Sequence, residues 1–297
     1  MSDHIAHLGI CDDTFRLAAL HPQIDPHFRT LFEQRREDAH MGAITRTADL
    51  WSAQVIVNAR PDATPIDPLA DRKLAFVLGS LTHRAADRLT KPITNCWRGD
   101  DSGGDANESK IMQDLLVFKE VYGGGDGPHA HPFAPALLAP SFTEAQANFE
   151  AIFRTLLRRA LISMHTIAPD HDHIDPWLTA FLKGLQTFPK SLDLYALLNR
   201  EWGMAKVKKY LLDKNFYRRD DALIRLARDM QRGSAVSADQ VVAALAATDK
   251  THSRYARALA KAVEYLLAAG ELYRGRIELP EAQRRFDVGV PELSIQE

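Results

Sequence analysis

His83 and Asp87 are the two residues whose types and spacing most directly suggest chemistry. They lie four positions apart in the apolar run Leu78–Asp87, and on an α-helix this spacing places two side chains on the same face, one turn apart. An imidazole nitrogen and a carboxylate on one buried face can bind a divalent metal, because the carboxylate also compensates the charge of the cation. The alternative is a core histidine that is hydrogen-bonded to an aspartate one turn later.

Two earlier residues are further candidates. His7 lies near the start of the first predicted helix, where it either points inward as a ligand or is an ordinary core or surface histidine. Asp49 stands in an apolar sequence, and burying an unpaired carboxylate there would cost several kcal/mol. We therefore expect Asp49 to be exposed, to be paired with an arginine such as Arg46, or to bind a cation.

His40 and Glu108 could extend such a site. His40 precedes the segment Gly42–Val57 and either caps it or adds a ligand. Glu108 opens a predicted helix, where a carboxylate is favourable beside the positive end of the helix dipole. Because this helix follows the His83 helix closely in the chain, Glu108 could instead complete a shared site.

Two histidine clusters in proline-rich loops are weaker candidates. One contains His129 and His131, and the other is His171-Asp172-His173. The pair His171-Asp172 resembles the His-Asp metal motif of some phosphohydrolases, but it lies between prolines rather than on a helix. A phosphohydrolase that uses this pair is therefore a minor alternative.

The composition excludes several classes of protein. The chain has 297 residues, a net charge of −2 and two cysteines, so it has neither the strong charge typical of nucleic-acid binding nor enough cysteines for a disulfide framework. It contains no Walker loop, no Rossmann glycine fingerprint and no Gly-x-Ser-x-Gly elbow. We find no signal peptide and no transmembrane segment, and we expect a cytoplasmic protein without a nucleic-acid partner.

The pattern of apolar residues predicts an all-α protein, since no strand-like alternation exceeds a few residues. The weakest seam lies between Gly123 and Pro140, and eight of the twelve histidines precede residue 132. We therefore predict a helical core over 1–140 that carries the metal site, and a helical extension over 141–297 packed on it. The predicted helices are Ile5–Leu20, Pro26–Arg36, Gly42–Val57, Leu69–Leu89, Glu108–Tyr122, Thr143–Ile167, Pro176–Phe188, Leu192–Trp202, Ala205–Lys214, Asp220–Arg232, Ala238–Ala247 and His252–Tyr273.

Taken in order, four motifs resemble the zinc-dependent phospholipase C family, whose helical architecture fungal single-strand nucleases share. The resemblance covers about residues 4–120. Its elements are His7-Leu8-Gly9-Ile10, then Gly42-Ala43-Ile44 leading to Asp49, then Leu78-Gly79-Ser80-Leu81-Thr82-His83 to Asp87 with Lys91-Pro92, and finally Glu108-Ser109-Lys110.

The resemblance implies a multi-helix bundle of the phospholipase C type with additional C-terminal helices. It also implies a divalent metal cofactor, with zinc as the leading candidate. One ion would be held by His7, Asp49, His83 and Asp87, or two ions would be held if Glu108 or His40 is added. The chain departs from the family in lacking a histidine over residues 50–82. In the last element, Glu108 and Met112 stand where the family has histidine and glutamate.

Two functions follow as hypotheses. The first is a phosphoester hydrolase in which the metal activates water, Asp49 or Asp87 orients or deprotonates that water, and the substrate is a small phosphoester or a lipid headgroup. The second is a non-catalytic helical binding or scaffold protein that retains a degenerate metal site.

Overall fold

A computed structural model describes residues 4–44, 52–90, 106–125, 192–201 and 215–290. Within these ranges the chain is helical with connecting turns and has no strand, so the predicted all-α class is confirmed. The helices are α1 (His4–Leu20), α2 (Pro26–Gln34), α3 (Arg36–Ala43), α4 (Ser52–Asn58), α5 (Ala70–Thr90), α6 (Ala106–Tyr122), α7 (Ala222–Gln231), α8 (Ala238–Ala247), α9 (Arg254–Tyr273) and α10 (Leu279–Arg285). Residues 192–201 are helical as well.

Local sequence explains several helix starts. Asp25 caps α2 by accepting a hydrogen bond from the backbone of His27, and Pro26 occupies the first turn, where its missing N–H costs nothing. Ser237 and Gln240 form a reciprocal capping box at the start of α8. These signals are local, which is why the sequence predicted these two starts at the right residues.

The predicted helices Pro26–Arg36 and Gly42–Val57 were wrong in their bounds. The helix is interrupted at Arg35, and a separate helix, α3, then runs from Arg36 to Ala43. Gly42 therefore lies near the end of a helix instead of opening one, and the next described helix is α4. The predicted segments Thr143–Ile167, Pro176–Phe188 and Ala205–Lys214 lie outside the described residues, whereas α10 was not predicted.

Helix α5 lies at the centre of the described structure and packs against α3 and α9, as well as α1 and α4. Two glycines set its approach to α3. A Cβ on Gly79 would lie 1.8 Å from the carbonyl oxygen of Ala39, and one on Gly42 would lie 1.8 Å from that of Phe76. The two backbones are therefore in direct contact, and only glycine fits at these positions.

The C-terminal helices share the core with the N-terminal ones. Helix α9 packs against α5 and α1. Arg84 and Arg88 of α5 donate hydrogen bonds to the carbonyl oxygen of Asp287, just beyond α10. The predicted boundary at residue 140 lies outside the described part of the chain, and the two-part division stays a prediction. No described helix combines the length and apolarity needed to cross a membrane.

Candidate metal centre

His7 of α1 and the pair His83 and Asp87 of α5 converge in one buried group. Nε2 of His7 lies 3.2 Å from Oδ1 of Asp87, and Nε2 of His83 lies 3.3 Å from Oδ2 of the same carboxylate. The two imidazole rings are stacked, with 4.3 Å between their centroids. One potential ligand atom from each residue lies within 4.8 Å of the other two. Two nitrogens and a carboxylate oxygen at this separation form a donor set that could hold a metal ion.

His83 has its two ring nitrogens in different environments. Nδ1 lies 2.7 Å from the carbonyl oxygen of Ala43, and because a carbonyl only accepts, Nδ1 must carry the hydrogen. Nε2 is buried and makes no hydrogen bond within the described residues, since its approach to Asp87 lacks hydrogen-bond geometry. In a neutral ring this leaves a lone pair on Nε2. Metal-binding histidines commonly donate the other N–H to a carbonyl in this way.

Helix α1 is positioned by contacts with α6. The backbone N–H of Ala6 donates to Oδ1 of Asp114 at 2.9 Å, so a carboxylate from another helix caps the first turn of α1. Gly9 allows close packing, because a Cβ there would lie 2.5 Å from Cγ1 of Val117. Together these contacts fix the turn of α1 that carries His7.

The environment keeps Asp87 ionised. Burial raises the pKa of its carboxyl group, but the charge of His83 and the hydrogen bond from His7 outweigh burial and hold the pKa well below its ordinary value. His7, His83 and Asp87 are 4%, 6% and 7% exposed, respectively. The group is therefore nearly dry and contains an ionised carboxylate, and a cation that replaced the proton of His83 beside it would be weakly screened.

Comparisons with known proteins identify no relative, since no family model, no curated protein and no solved structure matches this chain. The resemblance to the zinc-dependent phospholipase C family therefore stays a prediction from motifs. All-α architecture is the part of that prediction that the structure shows.

The structure places His40 in a second buried cluster, centred on Asp12 of α1. The carboxylate of Asp12 accepts from Nε2 of His40 at 2.7 Å, from Arg36 at 2.9 and 2.6 Å, and from the hydroxyl of Tyr122 at 2.7 Å. Burial raises the pKa of Asp12, but the charges and hydrogen bonds of His40 and Arg36 outweigh it and hold the pKa well below its ordinary value. His40 is not one of the three residues whose ligand atoms converge.

The remaining sequence candidates fall wholly or in their side chains outside the described residues. Asp49 lies outside the described residues, as do His129, His131 and the 171–173 cluster. Glu108 lies in the first turn of α6, but its side chain falls outside the described part of the chain. Their roles as ligands or catalytic groups stay predictions.

Sequence reasoning missed the backbone partner of the site. The carbonyl of Ala43 orients His83, and it is present because Gly42 and Gly79 let α3 and α5 touch. A signal existed in the sequence, since Gly79 stands one helical turn before His83 and Gly42 directly precedes Ala43. The glycines indicate that another backbone packs closely against each of these helices, but they do not identify which helix it belongs to.

Proposed function

We propose that this protein is a metal-dependent phosphoester hydrolase that binds one divalent cation through His7, His83 and Asp87. Zinc is the metal that we expect there. The observation that carries the proposal is the buried Nε2 of His83, which makes no hydrogen bond within the described residues while Nδ1 is committed to Ala43. A buried polar atom without a partner costs free energy, and a cation shared with His7 and Asp87 would remove that cost.

The donor set favours zinc over magnesium. Imidazole nitrogen is a common ligand of zinc, whereas magnesium prefers oxygen ligands and retains water. Three protein ligands are also the number typical of catalytic zinc sites, which keep a further position for water or substrate. Asp49 would be an additional ligand if it lies beside the group.

Each residue has a separate task in the proposed reaction. A divalent cation, when bound, polarises a phosphoryl oxygen and lowers the pKa of nearby water. His83 is held in one tautomer by Ala43, and His7 is held by the anchored first turns of α1. Asp87 compensates positive charge, and Asp49 or Asp87 orients or deprotonates the attacking water. The choice of a small phosphoester or a lipid headgroup as substrate rests on the family resemblance.

The decisive experiment measures metal and activity in the same preparations. We expect about one equivalent of zinc by elemental analysis and hydrolysis of bis(p-nitrophenyl) phosphate. His83→Ala and the nearly isosteric Asp87→Asn should lose both. His252→Ala is the matched control, because half-buried His252 also pairs with an aspartate on the same chain segment, Asp249, but away from the candidate metal centre. Zinc content and hydrolysis unchanged in both site variants would overturn the proposal.

One contact favours the alternative of a non-catalytic binding or scaffold protein. His7 already hydrogen-bonds Asp87, so this pair is held together without a cation. If the protein has only this structural role, it will purify without stoichiometric metal, will not hydrolyse the phosphodiester, and will respond to His83→Ala through its stability alone.

A further inference from the structure

A second site is suggested by a basic cavity of about 470 Å³ between the end of α6 and helix α7. We call it the α6–α7 cavity. Its volume falls within the range of about 300–1,000 Å³ that is usual for small-molecule sites. One carboxylate, that of Glu120, belongs to its lining. The basic residues of its lining are Lys119, Arg219, Arg225, Arg228 and Arg232.

Glu120 neutralises only one of these five cations, Arg219. Its two carboxylate oxygens each accept a hydrogen bond from Arg219, both at 2.6 Å, so they form a closed bidentate pair. Among the described residues, Lys119 and Arg225 form no ion pair, and Arg232 lies 3.9 Å from a carboxylate oxygen of Asp229. The cavity therefore carries an excess of positive charge.

Arg228 provides a fixed donor at the wall of the cavity. Its guanidinium is held by the carboxylate of Asp13, by the side chain of Gln231 at 2.6 Å and by the carbonyl oxygen of Glu120 at 3.3 Å. Arg228 is only 8% exposed, and its Nε is buried without an acceptor in the described structure. Since Nε is buried, Arg228 contributes an immobilised guanidinium to the wall of the cavity.

We propose that the α6–α7 cavity binds a small, multiply charged anion that carries phosphate groups. Guanidinium groups match phosphate oxygens in geometry and can donate two parallel hydrogen bonds. Lys119, Arg225 and Arg232 repel one another in the free protein, and an anion with several charges relieves that repulsion. The ligand is either a soluble phosphate compound or the phosphate headgroup of a lipid. This site does not depend on the metal centre.

Isothermal titration with sodium pyrophosphate tests the soluble source, and co-sedimentation with vesicles that contain phosphatidic acid tests the lipid source. The double variant K119A/R225A removes the two cations that have no described ion-pair partner. We expect it to lower affinity for the bound probe by at least about tenfold, and we expect binding to weaken with added salt. Binding of pyrophosphate assigns a soluble ligand, and binding of vesicles alone assigns a headgroup.

Two controls test whether the anion binds in the α6–α7 cavity rather than elsewhere on the protein. K250A/R257A removes the same charge from a different cavity, which also contains Lys261, and it should leave affinity within about twofold of the original. His83→Ala should bind pyrophosphate normally, so the result is independent of the proposed hydrolase. The inference is overturned if neither probe binds, or if both double variants lose affinity equally while their melting temperatures show that they remain folded.

Discussion

The carbonyl oxygen of Ala43 accepts a hydrogen bond from Nδ1 of His83 at 2.7 Å, and this bond ties the end of α3 to the middle of α5. It determines which nitrogen of His83 faces His7 and Asp87. The orientation of the candidate ligand therefore depends on a backbone contact between two helices. Substitutions of the residues that maintain this contact, and of those around the site, should change stability and metal binding in distinguishable ways.

Gly79→Ala should separate α3 from α5. The new Cβ would lie 1.8 Å from the carbonyl oxygen of Ala39, and we expect the free energy of unfolding to fall by about 3 kcal/mol. Gly270→Ala is the matched control, since its Cβ would lie 3.6 Å from the Cβ of Asp25, an ordinary contact. Chemical denaturation measures both variants. Equal stability of the two would contradict the packing that we describe.

Zinc should stabilise the protein through His83. A ligand at a hundredfold excess over its Kd adds about 2.7 kcal/mol to the free energy of unfolding, which raises the melting temperature by several degrees. Magnesium should have little effect, because two of the three donors are imidazoles. Differential scanning calorimetry with each metal, before and after His83→Ala, tests this. A zinc response that survives the substitution would place the metal elsewhere.

Asp114→Ala should weaken both stability and zinc affinity. It removes the acceptor for the backbone N–H of Ala6, and lost helix caps typically cost about 1 kcal/mol. Because the same turn of α1 carries His7, zinc affinity should fall as well, whereas Asp114→Asn should retain more of both. Asp239→Ala removes an exposed carboxylate from the first turn of α8 and serves as the control. Unchanged zinc affinity in Asp114→Ala would show that the cap does not position His7.

Acid should destabilise the protein partly through Asp12. Because the folded-state pKa of Asp12 is held well below its ordinary value, its contribution is fully present above the unfolded-state pKa of about 3.9 and is lost as pH falls toward the folded pKa. Asp12→Asn should cost about 3 kcal/mol at neutral pH and flatten the decline in stability below about pH 5. Denaturation curves from pH 7 to pH 3 measure this. Parallel curves for the two proteins would assign the acid sensitivity to other groups.

Sequence reasoning performed best where the signal was local. It predicted a helix over Leu69–Leu89, and α5 spans Ala70–Thr90. His83 and Asp87 share one helix face, as their spacing predicted. It failed over residues 36–43, because Gly42 was interpreted as the start of a helix, whereas it serves the contact between two helices. The function of a small residue at a helix crossing depends on a partner that is distant in the sequence.

The amino-acid sequence by itself determined that the described protein is helical, and it determined that an imidazole and a carboxylate project from one face of α5, because both properties follow from spacing within a single element. The sequence motifs predicted that His7 joins that pair, and the tertiary structure brings the three side chains together. Only the tertiary structure decided that His40 instead belongs to Asp12 and that Ala43 orients His83. The physical reason is that helix periodicity is a local property, whereas the approach of α1, α3 and α5 depends on packing among residues far apart in the chain.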